Sequence, residues 1–169
     1  MRANRFFIFA VVMLAVGGCH RKAVEPAALD EPAVRQLMNR VAEASMNRDF
    51  DGLASCFIAG AEIFVDAGDG PQRVTLDAYI AAARRAAKSL TDYRYEVTTS
   101  EIRFADGGAA VVQQVDETAT APWGPVRSAT SATYTVRLVD RQPRIVRVEA
   151  KVIIAGPSGP LPGPEEELG

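Results

Sequence analysis

Beyond Leu90 the sequence keeps a period of two almost to its end, and only a strand sends successive side chains to opposite faces. Tyr93, Tyr95 and Val97 fall on one face of the first such stretch, whereas Ile102 and Phe104 take the other parity, so a bulge or sharp bend is expected near Ser100 and Glu101. Asp106, Gly107 and Gly108 supply a turn, and a strand from about Ala109 to Thr120 follows. A loop with Pro122, Trp123, Gly124 and Pro125 leads to another strand from about Ser128 to Val139, and Asp140 to Pro143 turn the chain again. In the last strand Val146, Val148, Ala150, Val152 and Ile154 alternate with Arg147, Glu149 and Lys151. Four long strands in succession, joined by short connections, make an antiparallel sheet.

Helical spacing comes before this run. Asp30 and Pro32 form a helix start, and Val34, Leu37, Met38, Val41 and Ala42 recur at helical intervals up to about Arg48. Asp49 or Asp51 caps a short second helix, and Ile63 and Val65 alternate with Glu62, Phe64 and Asp66 in a first strand. Gly68, Asp69, Gly70 and Pro71 end that strand in a turn. Thr75 caps a third helix reaching about Leu90, with Leu76, Tyr79, Ile80, Ala83 and Ala87 along one stripe. The class is α+β, with three N-terminal helices packed on an antiparallel sheet in one domain over about residues 30–155.

Both ends read differently from this domain. Arg2 and Arg5 precede an apolar run from Phe6 to Val16, which suits a secretion signal and falls short of the roughly 20 residues that cross a bilayer. The run closes on Val16, Gly17, Gly18 and Cys19, which resembles the lipobox of bacterial lipoproteins. That resemblance implies removal of residues 1–18 and lipidation of Cys19 by diacylglyceryl and an acyl chain such as palmitate. His20 follows where Asp would signal inner-membrane retention, so an outer membrane lipoprotein facing the periplasm is expected. An ordinary cleavable signal with an incidental Cys19 is the other reading. Residues 19–29 read as a tether, and residues 156–169, rich in Pro, Gly and Glu, hold too little apolar surface to order themselves.

Composition and motifs remove several functions. The net charge is −2 and no basic run lies outside the signal, so nucleic acid is not an expected partner. The one histidine, His20, is in the tether, which leaves no His base for a Ser or Cys nucleophile. No cluster has metal-ligand spacing, no Gly-rich strand-to-helix turn cradles phosphate, and no cofactor is expected. Cys56, within Leu53, Ala54, Ser55, Cys56 and Phe57, reads as a small buried hydrophobe.

The order of elements, with Arg48, Asp49, Phe50, Asp51, Gly52 and Leu53 before the first strand, resembles the nuclear transport factor 2-like superfamily. Glu62, Ile63, Phe64, Val65 and Asp66 are similar to the first-strand signature of SnoaL-like cyclases and ketosteroid isomerases. The resemblance implies a cystatin-like cone, in which a curved antiparallel sheet wraps the helices around a pocket. It also puts Asp66 where such enzymes keep a carboxylate that removes a proton beside a carbonyl, Val41 where they have an oxyanion Tyr, and Tyr134 near their second donor. The candidate pocket residues are Asp66, Tyr134, Tyr79 and Trp123, each with a plainer reading: Asp66 as a turn-initiating residue, the tyrosines as core aromatics, Trp123 as a packed loop residue. The expected function is a lipid-anchored envelope protein whose domain binds a small apolar ligand or a partner protein without catalysis. The alternatives are an isomerase-like enzyme with Asp66 as general base on a carbonyl substrate, and a homodimer paired through the open sheet face.

Overall fold

The computed structural model describes residues 29–105 and 107–157. The expected signal, the lipidation site Cys19, His20 and nearly all of the tether and tail lie outside these residues.

Helix α1 (Glu31–Asn47) starts where Asp30 accepts a hydrogen bond from the Ala33 N–H at 2.8 Å, with Pro32 in the first turn. Its apolar stripe buries Val34, Leu37, Met38, Val41 and Ala44. Arg48 closes the helix in the left-handed region (φ 55), and the Asp49 N–H returns to the Ala44 carbonyl at 2.9 Å. Helix α2 (Phe50–Ser55) follows at once, capped by Asp49, which accepts from the Gly52 N–H at 2.9 Å. A Cβ at residue 52 would run into that carboxylate, so the cap requires glycine there. Strand β1 (Phe57–Asp66) begins immediately after α2, earlier than the alternation from Glu62 suggested. Cys56 is buried at the junction, as expected of a small apolar residue.

The turn after Asp66 leads to a short strand β2 (Pro71–Val74), which pairs back on β1 and carries no legible alternation. Thr75 caps α3 (Leu76–Ser89) by accepting from the Ala78 N–H at 3.2 Å. Four long strands complete the chain: β3 (Thr91–Ala105), β4 (Gly108–Ala121), β5 (Gly124–Val139) and β6 (Gln142–Pro157). The last takes in Gly156 and Pro157, the first two residues of the expected tail. All lie in one six-stranded sheet in the order β2-β1-β6-β5-β4-β3. Neighbours run antiparallel except β1 and β6, which pair in parallel across a connection that contains β2, α3, β3, β4 and β5.

Bulges set the shape. The break in β3 falls between Val97 and Thr99, a little before the expected Ser100 and Glu101. A shift between Thr135 and Val136 moves β6 by one residue, so Ile145 enters the core in place of Val146. Such extra residues let 14- to 16-residue strands curl instead of lying flat. The loop expected over Pro122 to Pro125 is tighter: Ala121 pairs with Gly124, which leaves Pro122 and Trp123 as a two-residue turn. Asp140 and Arg141, both with positive φ, make the matching turn between β5 and β6.

The curved sheet closes over the helices. Val34, Leu37 and Met38 of α1 pack with Ile63, Val111, Val136 and Ile145 in a closed apolar core. Toward the other end of α1 that packing gives way to open space.

Candidate functional site

The space is a cavity of about 650 Å³ between the concave face of the sheet and helices α1 and α3. Strand parity selects its walls: Tyr93 and Tyr95 of β3, Val115, Glu117 and Ala119 of β4, Ser128, Thr130, Ala132 and Tyr134 of β5, Val148, Ala150 and Val152 of β6. The helices contribute Val41, Ser45, Tyr79, Ala83 and Ala87. Alanines on α3 leave the space beside them open, where leucines would have filled it.

All four tyrosines and the single tryptophan of the chain line this one space. Tyr95 pairs across strands with Glu117, and Tyr134 with Val111, six residues earlier in β4. That separation is about 20 Å along a straight strand. Yet the Tyr95 and Tyr134 phenols come near enough to act on each other's ionisation, as they do where the sheet curls around the cavity. The Tyr93 hydroxyl donates to Oε1 of Glu117 at 2.6 Å. Burial is the main cause that pushes the phenols of Tyr79, Tyr93, Tyr95 and Tyr134 above the usual range, and the Glu117 charge adds to it in each. The four rings are held neutral.

Arg48 fixes one edge. Its left-handed backbone turns the guanidinium toward α3, where Nη1 and Nη2 donate to the carbonyls of Ala87 and Leu90, each at 2.9 Å. The same group lies 5.6 Å from the centre of the Tyr93 ring. Trp123, 78% exposed at the tip of the β4–β5 turn, stands at the rim.

Of the residues singled out from sequence, Tyr79, Tyr134 and Trp123 meet at this cavity and Asp66 does not. In β1 the inward positions are Ile63 and Val65, so the pleat turns Asp66 to the other face. Its Oδ1 accepts from the N–H groups of Gly68 and Gly70, at 2.9 and 3.2 Å, and starts the β1–β2 turn. A general-base role on a molecule in the cavity does not fit that position. Val41, the residue at the isomerases' oxyanion tyrosine position, is an apolar part of the wall. Glu117, Tyr93 and Arg48 were not among the candidate pocket residues. Their signals were the shared parity of Tyr93 and Tyr95, and the polar residues Gln113, Gln114, Asp116 and Glu117 on both faces of β4. Among the described residues no group of His, Cys, Asp and Glu has the arrangement of a metal site.

No protein-family model and no curated protein matches the sequence. Solved structures match its fold. A hexachlorocyclohexane dehydrochlorinase of Novosphingobium barchaimii superposes with a TM-score of 0.64 at 15% identity, over 77% of this chain and 90% of that one. A nuclear transport factor 2-like protein of unknown function from Pseudomonas putida gives 0.60 at 16% identity, over 72% and 84%. An uncharacterized protein with a cystatin-like fold from Caulobacter vibrioides gives 0.60 at 18% identity, over 73% and 89%. The chain therefore has the nuclear transport factor 2-like, cystatin-like cone fold that the order of its elements resembled. That fold carries enzymes as well as proteins of no assigned reaction, so the cavity's own residues have to decide its use.

Proposed function

We propose that the domain binds a small, largely apolar molecule in its cavity and does not transform it. The observation that carries this reading is the cavity itself: about 650 Å³ walled mainly by four neutral tyrosines, Trp123 and aliphatic side chains. A space of that size and lining suits a ligand of drug-like dimensions. The reading is favoured over a proton-transfer enzyme because Asp66, the carboxylate the resemblance offered as base, is occupied in a turn on the opposite face. The lipobox ending in Cys19 extends the proposal to place: a lipid-anchored domain of the bacterial envelope, tethered by residues 19–29.

The test is a titration of the full chain with the apolar fluorophore N-phenylnaphthylamine, beside an Ala83→Trp variant that fills the cavity from α3. Saturable enhancement at one probe per chain, weakened at least about tenfold in the variant, is expected. Absence of saturable binding, or binding indifferent to the plug, overturns the proposal. For the anchor, Cys19→Ala is expected to release the protein from membranes or leave an uncleaved precursor; unchanged mass and membrane association would contradict it.

A further inference from the structure

Within that cavity the charges are unevenly matched. Glu117 is the one carboxylate among the residues that line it, and the bond it accepts, from Tyr93, uses Oε1. The two cations of the lining have other hydrogen-bond partners, and Arg48 also lies 5.6 Å from the centre of the Tyr93 ring. Arg48 spends Nη1 and Nη2 on the carbonyls of Ala87 and Leu90, and Arg127 directs Nη2 to Asp116 at 3.3 Å. Among the described residues Glu117 forms no ion pair. A half-buried carboxylate facing aromatic and aliphatic walls loses much of its hydration without a compensating charge.

The surroundings of Glu117 define the complement. Tyr95 stands directly opposite it across β3 and β4, and Tyr93 is the next inward residue on β3. Tyrosine ring faces are electron-rich and attract cations, whereas a carboxylate repels anions. Burial and the charge on Glu117 both keep these phenols from ionising, so they act as neutral rings and as donors. Further in, Ile63, Ala132 and Val148 offer hydrocarbon contact only.

We propose that the cavity takes an apolar organic cation, a small molecule whose ammonium nitrogen sits at Oε2 of Glu117 among the tyrosines and whose hydrocarbon body fills the aliphatic part of the wall. This inference rests on the ligand-binding reading above and names the ligand's chemical class.

The experiment compares three probes of one shape by calorimetry on the full chain: benzyltrimethylammonium, its uncharged carbon isostere neopentylbenzene, and the anion phenylmethanesulfonate. The cation is expected to bind at least about tenfold more tightly than neopentylbenzene, the size of effect that a partly desolvated cation–aromatic contact plus one opposite charge produces, and the anion weakest. Glu117→Gln removes the preference and leaves neopentylbenzene binding in place. Tyr93→Phe keeps the carboxylate, releases its second oxygen and retains the preference. Equal or weaker binding of the cation to the unaltered protein overturns the inference while leaving the cavity a ligand site; binding of no probe overturns both. If Glu117→Gln does not fold, the unaltered protein and Tyr93→Phe still decide: the preference present in both supports the inference, and its absence overturns it.

Discussion

Asp66 and Glu117 both sit on strands, and the next few residues of each decide what the carboxylate does. Asp66 is followed by Ala67 and Gly68, so its side chain turns back onto the N–H groups of Gly68 and Gly70. Asp66→Ala removes two backbone bonds at a partly exposed turn and is expected to cost about 1 kcal/mol in denaturant unfolding. Probe binding in the cavity is expected to be unchanged; its loss in a folded Asp66→Ala protein would contradict the geometry. Glu117 continues a strand, whose parity turns it inward with Val115 and Ala119, and there it accepts a hydrogen bond from Tyr93. The tyrosines carry a pH consequence. A phenol whose pKa is raised by folding contributes stability that is complete below its unfolded value of 10.0 and declines as pH climbs above that value toward the folded one. Each buried phenol removes up to about 1.4 kcal/mol per pH unit across that window, and Tyr79, 37% exposed, removes less because solvent screens it. Phenolate absorbance is expected to rise together with unfolding, and a gradual rise in the folded protein near pH 10.0 would contradict this.

At the scale of elements, the cavity depends on α3 standing off from the sheet, and Arg48 is its clamp. A residue at φ 55 outside glycine carries a backbone cost, and here the side chain gains two carbonyl bonds at the end of another helix. Arg48→Met retains the aliphatic stem and removes those bonds. The expected loss is about 1 to 3 kcal/mol, with faster amide exchange over residues 86–90 than over α1. Uniform exchange in both helices would show that Arg48 does not hold α3. Elements with strong local signals were legible in the sequence: the caps Asp30, Asp49 and Thr75, and the alternation of the last four strands. What escaped has a physical reason in each case. Strand β2 is four exposed or half-exposed residues stabilised by pairing with β1, so no pattern of burial marks it. Ile145 replaced Val146 in the core because a bulge shifts parity, and bulges arise from strand pairing that a single stretch of sequence does not display.

Across the whole molecule, the cone and its cavity follow from where large apolar side chains run out. The first half of α1 meets Val, Ile and Leu side chains and packs solidly; the later turns meet alanines on α3 and hydroxyl-bearing residues on β5. Tyr79, Tyr134 and Trp123 could be picked out as aromatics that a pocket would use. Their meeting with Tyr93, Tyr95 and Glu117 depends on a curl that brings together strand positions about 20 Å apart along the chain direction. No local pattern encodes that distance. If the domain is a binding protein, this space is occupied when the protein is at work. Native mass spectrometry of the full chain, purified without denaturant from the cells that make it, decides between occupied and empty. An excess mass of one small molecule per chain, lost on denaturation and absent from Ala83→Trp, is expected. A bare chain mass in both proteins, from gentle preparations that preserve other non-covalent complexes, would contradict it.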